Sequence, residues 1–208
     1  MPGSETLYPV RVTPAPPAAG TGVAVFLDRD GVLNEVRGSG RHSLPPRSLN
    51  ELHLVPEAGG SMERLHEAGF TLIMVSNQPD VARGSMSAET VLEITGAIVA
   101  ELGLDDAYLC LHDGPDGCAC RKPLPGTLHD AARDWGLDLA KSWMIGDRWV
   151  DVAAGNAAGV RSLLLERPYS WEAAGGQECP PDVRPLATFG WLADAVARIV
   201  EISASESP

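Results

Sequence analysis

The most informative segment of the sequence is FLDRDGVLN, residues 26–34, where an apolar run ends in two carboxylates one residue apart and then a glycine. Residues i and i+2 of an extended segment point to the same side, so we expect Asp28 and Asp30 to face one site and Arg29 to face away. Two carboxylates this close repel unless a cation lies between them or one is protonated. The pair alone is also typical of an acidic turn after a strand, so the rest of the chain has to decide between these interpretations.

Short apolar runs recur along the chain, at residues 23–28, 70–77, 107–112, 142–147 and 160–166. They do not alternate with polar residues, which is typical of strands buried on both faces. Helical patterns lie between or after them, at residues 57–68, 88–102, 125–135, 150–158 and 190–202. Ser87 fits the N-cap of the second helix and Gly103 fits its stop. The alternation predicts an α/β fold, a Rossmann-like parallel sheet with helices on both faces.

The length of 208 residues fits one domain, which we assign to residues 21–202. Residues 1–20 contain five prolines and are predicted to form a flexible tail, and residues 203–208 a disordered one. Two irregular stretches, 34–55 and 167–187, are predicted loops. Only 45 residues separate Asp30 from Ser76, and another 45 separate Ser76 from Lys122. Predicted strands, helices and loops already occupy both intervals, so we expect no separate cap domain over the site.

Charge and hydropathy exclude several classes of partner. The formal net charge of −12 disfavours nonspecific binding to nucleic acid or anionic membranes, although a local cationic pocket could still hold a small anion. No apolar run is long enough to cross a bilayer, and the N-terminus lacks the order of a signal peptide. We therefore expect a cytoplasmic protein with no nucleic acid or membrane partner.

Polar residues suited to phosphate chemistry follow several of the predicted strands. Ser76 and Asn77 end the second strand, Lys122 follows the third, and Asp147 ends the fourth. Ligands of open α/β sheets bind beyond the carboxyl ends of the strands, so these side chains are expected near Asp28. Asp147 adds an oxygen ligand of the kind that Mg²⁺ prefers. A lysine and a hydroxyl supply what a phosphoryl group requires, a positive charge and a hydrogen-bond donor.

Three of the four cysteines lie within eleven residues, which in an intracellular chain indicates metal binding more than disulfides. Residues two apart on a strand end project to the same side, so two short pairs can converge into a tetrahedral zinc site of thiolates and an imidazole. The candidate ligands are Cys110, His112, Cys118 and Cys120. The alternative is a set of separate buried thiols with a surface histidine. Cys179 stands alone and is expected to be a bystander.

The ordered motifs DRDGV, VSN, RKP and GDRWVD resemble those of the haloacid dehalogenase-like phosphatases, over about residues 22–166. Within that superfamily, FLDRDGVLN, SNQPDVARG, CACRKPLPG and IGDRWVD are most similar to the branch of the D,D-heptose bisphosphate and histidinol phosphatases. The resemblance implies a capless fold of this family with a structural zinc loop. That loop would fix the segment carrying Arg121 and Lys122.

The resemblance also implies roles for the clustered residues. Asp28 would attack phosphorus, and Asp30 would protonate the leaving oxygen and later deprotonate the hydrolytic water. Ser76 and Lys122 would hold the transferring oxygens. Mg²⁺ would be bound by Asp28, the backbone carbonyl of Asp30, and Asp147.

Substrate contacts are expected from Asn77 and from three arginines, Arg83, Arg121 and Arg148, because guanidinium groups match phosphate and carboxylate well. Asp151 could face the same site, or it could simply be an acidic helix start. Three departures from the branch pattern, at Pro79-Asp80, at Arg148 and in the 34–55 loop, bear on the substrate.

We therefore expect a monomeric phosphatase of a small phosphorylated metabolite, with a sugar bisphosphate such as D-glycero-D-manno-heptose 1,7-bisphosphate as the substrate. Three alternatives remain. The first is histidinol phosphate as the substrate. The second is a phosphoacceptor signalling domain, which also groups acidic residues, a Ser/Thr and a Lys at strand ends. The third is a phosphatase that processes nucleic-acid ends, which the acidic balance of the chain disfavours.

Overall fold

A computed structural model of the protein describes residues 10–12, 22–38, 44–174 and 176–206. Its centre is a sheet of seven strands in the order β1-β4-β3-β2-β5-β6-β7. The strands are Val10–Arg11 (β1), Ala24–Leu27 (β2), Thr71–Asn77 (β3), Asp106–Cys110 (β4), Trp143–Gly146 (β5), Arg161–Leu165 (β6) and Ala187–Phe189 (β7). The helices are Ala58–Glu67 (α1), Ala88–Leu102 (α2), Gly126–Trp135 (α3), Trp149–Ala158 (α4) and Leu192–Glu206 (α5). The predicted α/β fold is confirmed.

Parallel pairing joins β2 through β7, and the first strand alone runs antiparallel to its neighbour, β4. Strand β2 lies in the middle, with Phe26 paired to Ile73 on one side and to Met144 on the other. The carboxyl ends of β2, β3 and β5 therefore meet at one edge of the sheet. The acidic residues that follow β2 lie at the centre of that edge.

Helices cover both faces of the sheet, as predicted. Val25 and Leu27 of β2 belong to the core cluster that α1, α2 and α5 contribute to, through residues such as Leu65, Ile94 and Ile199. The alternate residues Ala24 and Phe26 pack on the opposite face, with α3 and α4, in a cluster that contains Leu128, Ala131 and Ala154. Because both faces are buried, all four residues of β2 are apolar and fully inaccessible.

Helix α2 begins and ends where the sequence predicts. The Ser87 side chain accepts a hydrogen bond from the backbone N–H of Thr90 at 3.0 Å, and it thereby satisfies one of the free donors of the first turn. The helix stops at Gly103, whose φ of 63° lies in the left-handed region.

The described residues differ from the predicted tails at both ends of the chain. Val10–Arg11 forms the edge strand β1, held by an ion pair from Arg11 to the buried Asp106; residues 1–9 and 13–20 of the predicted tail lie outside the described residues. Helix α5 continues to Glu206, which accepts a hydrogen bond from Arg161 at 2.8 Å, so the predicted disordered tail is helical as far as it is described. Residues 207 and 208 lie outside the description. Strand β7, which starts at the last residue of the predicted 167–187 loop, was also not predicted.

The described part of the chain from Asp30 to Lys122 contains strands, helices, short 3₁₀ turns and connecting loops, and no separate domain. Residues 39–43 of the predicted 34–55 loop are outside the described ranges, and in the remainder isolated bridges join the two arms of the loop to each other, as between Asn34 and Leu54. None of the helices in the described ranges is long and apolar enough to cross a membrane.

Candidate active site

A cleft of about 610 Å³ opens at the carboxyl edge of the sheet. Every residue predicted to take part in phosphate chemistry lines it: Asp28, Asp30, Ser76, Asn77, Arg83, Arg121, Lys122, Asp147 and Arg148. The strand ends of β2, β3 and β5 supply the acidic residues and the serine, and the segment before α3 supplies the lysine. The structure thus brings together residues that are far apart in sequence.

Lys122 is the cationic centre of the cleft. Its side chain is 2% exposed, and its Nζ lies 2.7 Å from Asp28 Oδ1, 2.7 Å from Asp151 Oδ1 and 2.8 Å from the Val75 carbonyl oxygen. These three partners match the three N–H donors of an ammonium group. Burial opposes its charge, but the carboxylates of Asp151 and Asp28 outweigh burial and raise the pKa of Lys122. The group therefore stays charged at neutral pH.

Three buried carboxylates, Asp28, Asp147 and Asp151, bring one ligand atom each within 4.8 Å of one another. Burial raises the pKa of Asp28 to about 6, although Lys122 opposes the shift. Burial and the charges of Asp28 and Asp151 also raise the pKa of Asp147 well above its usual range. Oδ1 of Asp147 is buried and has no hydrogen-bond partner within the described ranges. An excess of buried carboxylate with a free oxygen fits a hard divalent cation such as Mg²⁺.

Gly31 explains why a glycine follows the second aspartate. Its φ is +86°, and a Cβ at this position would lie 2.0 Å from Asp147 Oδ2 and 2.9 Å from the Tyr169 hydroxyl oxygen. That hydroxyl donates to the same Asp147 oxygen at 2.6 Å. Any side chain at residue 31 would therefore displace the carboxylate that the site needs.

Arg29 is buried outside the cleft lining, so it does face away from the cleft, but its guanidinium turns back onto the side chain of Asp30, which strand alternation did not predict. The side chain is fully buried, and its Nη2 and Nε atoms donate to Asp30 Oδ2 at 2.9 and 3.1 Å. The two-residue alternation applies to extended strand, but β2 ends at Leu27 and the chain then turns, with the N–H of Leu33 donating to the Arg29 carbonyl. The turn brings Arg29 back onto its neighbour.

Gln78 and Asn77 organise the end of β3. The Gln78 Nε2 atom donates to Asp30 Oδ2 at 2.8 Å and to Ser76 Oγ at 2.9 Å, while its Oε1 accepts from Arg29 Nη2 at 2.9 Å. Because the Ser76 oxygen accepts this bond, its own O–H is left to donate to a phosphoryl oxygen. The Asn77 amide bonds the main chain of Lys122 in both directions, at 2.9 and 3.1 Å. Asn77 therefore lines the cleft and also fixes the loop that carries the lysine.

The four predicted zinc ligands, Cys110, His112, Cys118 and Cys120, come together at the end of β4, with all four ligand atoms within 4.8 Å of one another. The Sγ atom of Cys110 lies 3.3 Å from that of Cys120 and 3.7 Å from that of Cys118, and the thiols are not joined in disulfides. Zinc–sulfur bonds of about 2.3 Å in a tetrahedron place sulfur atoms about 3.8 Å apart. The group could therefore hold zinc with a small expansion, and four protein ligands would close it to substrate.

Electrostatics at this cluster also suit a cation. Hydrogen bonding from the Cys120 thiol, assisted by His112, lowers the pKa of Cys110 to about 5. A thiolate is the form that binds metal. The loop is joined to the cleft because Arg121 Nη1 donates to the His112 carbonyl at 3.1 Å.

The three predicted substrate-binding arginines all line the cleft. Arg83 pairs with Asp113 through two hydrogen bonds, of 2.7 and 2.8 Å, and lowers the pKa of that carboxyl to about 2. Arg121 Nη2 lies 3.9 Å from the same Asp113. The Arg148 guanidinium carbon lies 4.5 Å from the centre of the Tyr169 ring. Asp113 therefore holds two of the three guanidiniums on one side of the opening.

Sequence reasoning missed or left open several residues of the site. Gln78 carried a usable signal, because it stands two residues after Ser76 and therefore on the same side of an extended segment. Asp151 serves both interpretations that the sequence allowed, since one of its oxygens binds Lys122 and the other accepts from the Arg148 N–H at the start of α4. Tyr169 lies 22 residues beyond Asp147, and no local pattern marks it.

Comparison with known proteins agrees with this geometry. The model of the haloacid dehalogenase-like hydrolases matches residues 45–159. A D-glycero-beta-D-manno-heptose-1,7-bisphosphate 7-phosphatase of Yersinia pestis is 35% identical over 157 residues, covering 69% of this chain and 80% of the relative. The protein of the same name from Helicobacter pylori is 32% identical over 166 residues, covering 73% of this chain and 90% of the relative.

Among solved structures, the D,D-heptose 1,7-bisphosphate phosphatase from B. bronchiseptica, complexed with magnesium and phosphate, superposes with a TM-score of 0.70 at 29% identity. The match covers 86% of this chain and 99% of that one. The heptose bisphosphate phosphatase of Burkholderia thailandensis shares the fold, with a TM-score of 0.56 at 21% identity. The family model spans more than half of this chain, and the relatives are about a third identical to it over the aligned residues, so the chain belongs to the haloacid dehalogenase-like hydrolases.

Proposed function

We propose that this chain is a Mg²⁺-dependent phosphatase that hydrolyses a small sugar bisphosphate, with D-glycero-D-manno-heptose 1,7-bisphosphate as the first choice. The observation that carries the proposal is the joining of a nucleophile, a cation and a metal-binding carboxylate group in one cleft. Lys122 holds Asp28 at 2.7 Å, and Asp28 also belongs to the group of three carboxylates. The family and the names of the relatives support a phosphoric monoester hydrolase.

The geometry around Asp28 suits attack on phosphorus. Lys122 binds its Oδ1, which leaves Oδ2 to form the bond to phosphorus as the bond to the leaving oxygen breaks. Asp30 gives that oxygen a proton, and in the second step takes a proton from the water that hydrolyses the aspartyl phosphate. Ser76 donates to a phosphoryl oxygen through the hydrogen that its bond from Gln78 leaves available.

The residues that would hold Mg²⁺ are Asp28, Asp147 and the carbonyl of Asp30, with Asp151 in the same carboxylate group. When bound, the ion supplies positive charge that lowers the repulsion between the Asp28 carboxylate and an anionic phosphate. The free Oδ1 of Asp147 is the observation that supports this assignment.

The distal part of the substrate is proposed to meet Arg83, Arg121 and Arg148 at the mouth of the cleft. All three line the same cleft as Asp28, and guanidinium groups bind phosphate in a directed way. A second phosphate on a sugar fits this distribution, with one phosphate at Asp28 and Lys122 and the other at the rim. Asp80 also lines the rim, and its charge disfavours a fully anionic distal group on that side.

We further propose that the chain acts in the cytoplasm as a monomer and binds neither nucleic acid nor membranes. Its net charge of −12 opposes association with polyanions. All four cysteines are free thiols, which is typical of a reducing compartment. A phosphoacceptor signalling role is less consistent with the site, because Asp30 lines the cleft beside Asp28 and would promote hydrolysis.

A phosphate-release screen with Mg²⁺ tests the proposal directly. The panel contains heptose 1,7-bisphosphate, hexose mono- and bisphosphates, histidinol phosphate and a short 3′-phosphorylated oligonucleotide. We expect the sugar bisphosphates to be hydrolysed best, and Asp28→Asn to abolish release because it removes the nucleophile. Preference for histidinol phosphate or the oligonucleotide would reject the substrate class. Activity that persists in Asp28→Asn would reject the mechanism.

A further inference from the structure

The turn after β2 contains a buried hydrogen-bond network around the side chain of Asp30. It joins Arg29, Gln78 and Asn34 to the side chain of Asp30. Arg29 and Asn34 are fully inaccessible, and Gln78 is 2% exposed. By contrast, the Asp30 side chain is 19% exposed and reaches the cleft. A single cleft-facing carboxylate is thus anchored from behind by three buried polar side chains.

The network treats the two oxygens of Asp30 differently. Oδ2 accepts from Arg29 Nη2 at 2.9 Å, from Arg29 Nε at 3.1 Å and from Gln78 Nε2 at 2.8 Å. Among the residues that the structure describes, Oδ1 accepts only from Asn34 Nδ2, at 3.1 Å. A carboxylate oxygen has two lone-pair directions, so three donors saturate Oδ2 and leave one direction of Oδ1 open.

The amide orientations within the network are fixed by their other partners. Gln78 Oε1 accepts from Arg29, and both hydrogens of its Nε2 are used by Asp30 and Ser76. Asn34 Nδ2 also donates to the Glu35 carbonyl, at 2.9 Å, so both of its hydrogens are used as well. Neither amide can rotate to accept from Asp30 without breaking several of these bonds.

Stability alone does not explain a buried arginine at this position. Replacing a buried ion pair by apolar residues of similar volume is often neutral or stabilising. Arg29 also keeps Nη1 buried with no hydrogen-bond partner among the residues that the structure describes, which adds a desolvation cost. What the guanidinium does provide is two donors to one oxygen of the acid/base residue.

From this geometry we infer that Arg29 and Gln78 are positioning residues that make Oδ1 of Asp30 the oxygen that transfers the proton. The inference rests on the proposed phosphatase function. In the first step the Oδ1–H proton moves to the leaving alcohol oxygen as its bond to phosphorus breaks and the Asp28–phosphorus bond forms. In the second step a water oxygen attacks phosphorus, the Asp28–phosphorus bond breaks, and the water proton returns to Oδ1. Oδ2 remains bound by Arg29 and Gln78 throughout.

The test compares two substrates that need the general acid to different extents. A sugar phosphate has an alkoxide leaving group that must be protonated, whereas para-nitrophenolate leaves without a proton. We expect Arg29→Met to lower kcat/KM for the sugar phosphate by about 10²-fold to 10⁴-fold, the contribution of general acid catalysis. The value for para-nitrophenyl phosphate should fall far less. Because kcat/KM covers only steps up to alcohol release, it isolates the first proton transfer.

The same variant should show a second sign with para-nitrophenyl phosphate. Deprotonation of the hydrolytic water also needs Asp30, so we expect a burst of about one equivalent of nitrophenolate followed by slow turnover. Arg29→Lys, which keeps one donor toward Oδ2, should recover part of the sugar phosphate activity. A purely structural role for Arg29 would change neither the ratio of the two kcat/KM values nor the burst.

The matched control is Arg11→Met, which removes another ion pair, between the partly exposed Arg11 and the buried Asp106, at the edge of the sheet. It should leave the substrate ratio unchanged even if the protein becomes less stable. If Arg29→Met fails to fold, Gln78→Met provides the same test. Gln78→Met also removes the bond to Ser76, but that loss affects both substrates alike. The ratio of the two kcat/KM values therefore still reports on Asp30. If Arg29→Met lowers kcat/KM equally for both substrates, the inference about Arg29 is wrong, whereas the proposed phosphatase function still holds because the wild type is active. A wild type that hydrolyses neither substrate would overturn both.

Discussion

Gly31 shows how far one atom decides whether the site can form. An alanine there would place a Cβ 2.0 Å from Asp147 Oδ2 and would also require φ near +86°. The conformation alone costs about 1 to 2 kcal/mol, and the clash adds displacement of the Asp147 carboxylate. We expect Gly31→Ala to lose nearly all phosphate release and to lower the free energy of unfolding by more than the conformational cost. Activity assays and urea unfolding measure the two effects.

Gly103→Ala is the matched control for that substitution. Gly103 also has a positive φ, of +63°, but no atom of the described residues lies within 4 Å of the position where its Cβ would be. The control should lose about 1 to 2 kcal/mol of stability and keep its activity. Equal activity in both variants would mean that the close approach to Asp147 does not matter for function.

The positions of site residues could be predicted from the sequence where the residues stand at strand ends. The direction of a side chain could not be predicted where it depends on a turn or on a distant loop. Asp28, Ser76 and Asp147 stand at strand ends, so their convergence follows from a parallel sheet. Arg29 stands one residue beyond Asp28, in a turn where strand alternation no longer holds. Its direction depends on Gln78, which lies 49 positions away in the chain.

At the scale of elements, the zinc loop between β4 and α3 is the piece most dependent on a ligand. Its thiols and imidazole lie within 4.8 Å of one another, and its far end carries Arg121 into the cleft. Gly126, at the start of α3, packs so closely that a Cβ would lie 2.3 Å from the Ala119 carbonyl oxygen. The loop is therefore packed closely where it joins α3.

Removing one ligand should release this loop. We expect the wild-type protein, prepared without chelator, to contain about one zinc ion per chain and Cys118→Ser to contain little. The variant should be cleaved faster within residues 111–121 by limited proteolysis and should have a lower kcat, because Lys122 follows the loop directly. Cys179→Ser, which lies outside the cluster, is the control and should keep its zinc. Wild-type protein without zinc would contradict the prediction.

The bounds of helices and strands with strong local sequence signals were predicted to within a residue or two. Elements that depend on contacts with residues distant in the sequence were not predicted. Helix α2 has a serine cap and a glycine stop, and both are used as expected. Strand β1 has only two residues and exists because it pairs with β4 and because Arg11 reaches Asp106. The last turn of α5 likewise depends on Arg161, which lies 45 residues before its partner Glu206. No local pattern carries such pairings.

For the molecule as a whole, the site is a concentration of buried negative charge in a chain that is already acidic. Asp28, Asp147 and Asp151 are all at most 9% exposed, and Lys122 is the cation that contacts two of them. Burial and mutual repulsion raise the pKa values of Asp28 and Asp147, so keeping both ionised opposes folding. Folding and cation binding are therefore linked in this protein.

This linkage predicts that Mg²⁺ stabilises the fold. It also predicts that removing one of the buried carboxylates stabilises the protein when Mg²⁺ is absent, because less negative charge is then buried. At a Mg²⁺ concentration 100 times its Kd, the gain is about 2.7 kcal/mol, or roughly 5 to 10 °C in Tm for a chain of this size. Without Mg²⁺, Asp147→Asn should melt above the wild type, because an amide keeps the acceptor for Tyr169 without the charge. The Tm of this variant should also rise less on addition of Mg²⁺.

Thermal melts at matched ionic strength measure these effects. Asp80→Asn, which removes another carboxylate that lines the cleft, is the control for a general change in net charge. Two results would show that the buried carboxylates are not a cation site linked to folding. One is a wild-type Tm that does not respond to Mg²⁺. The other is an Asp147→Asn variant with the same Tm and the same response to Mg²⁺ as the wild type.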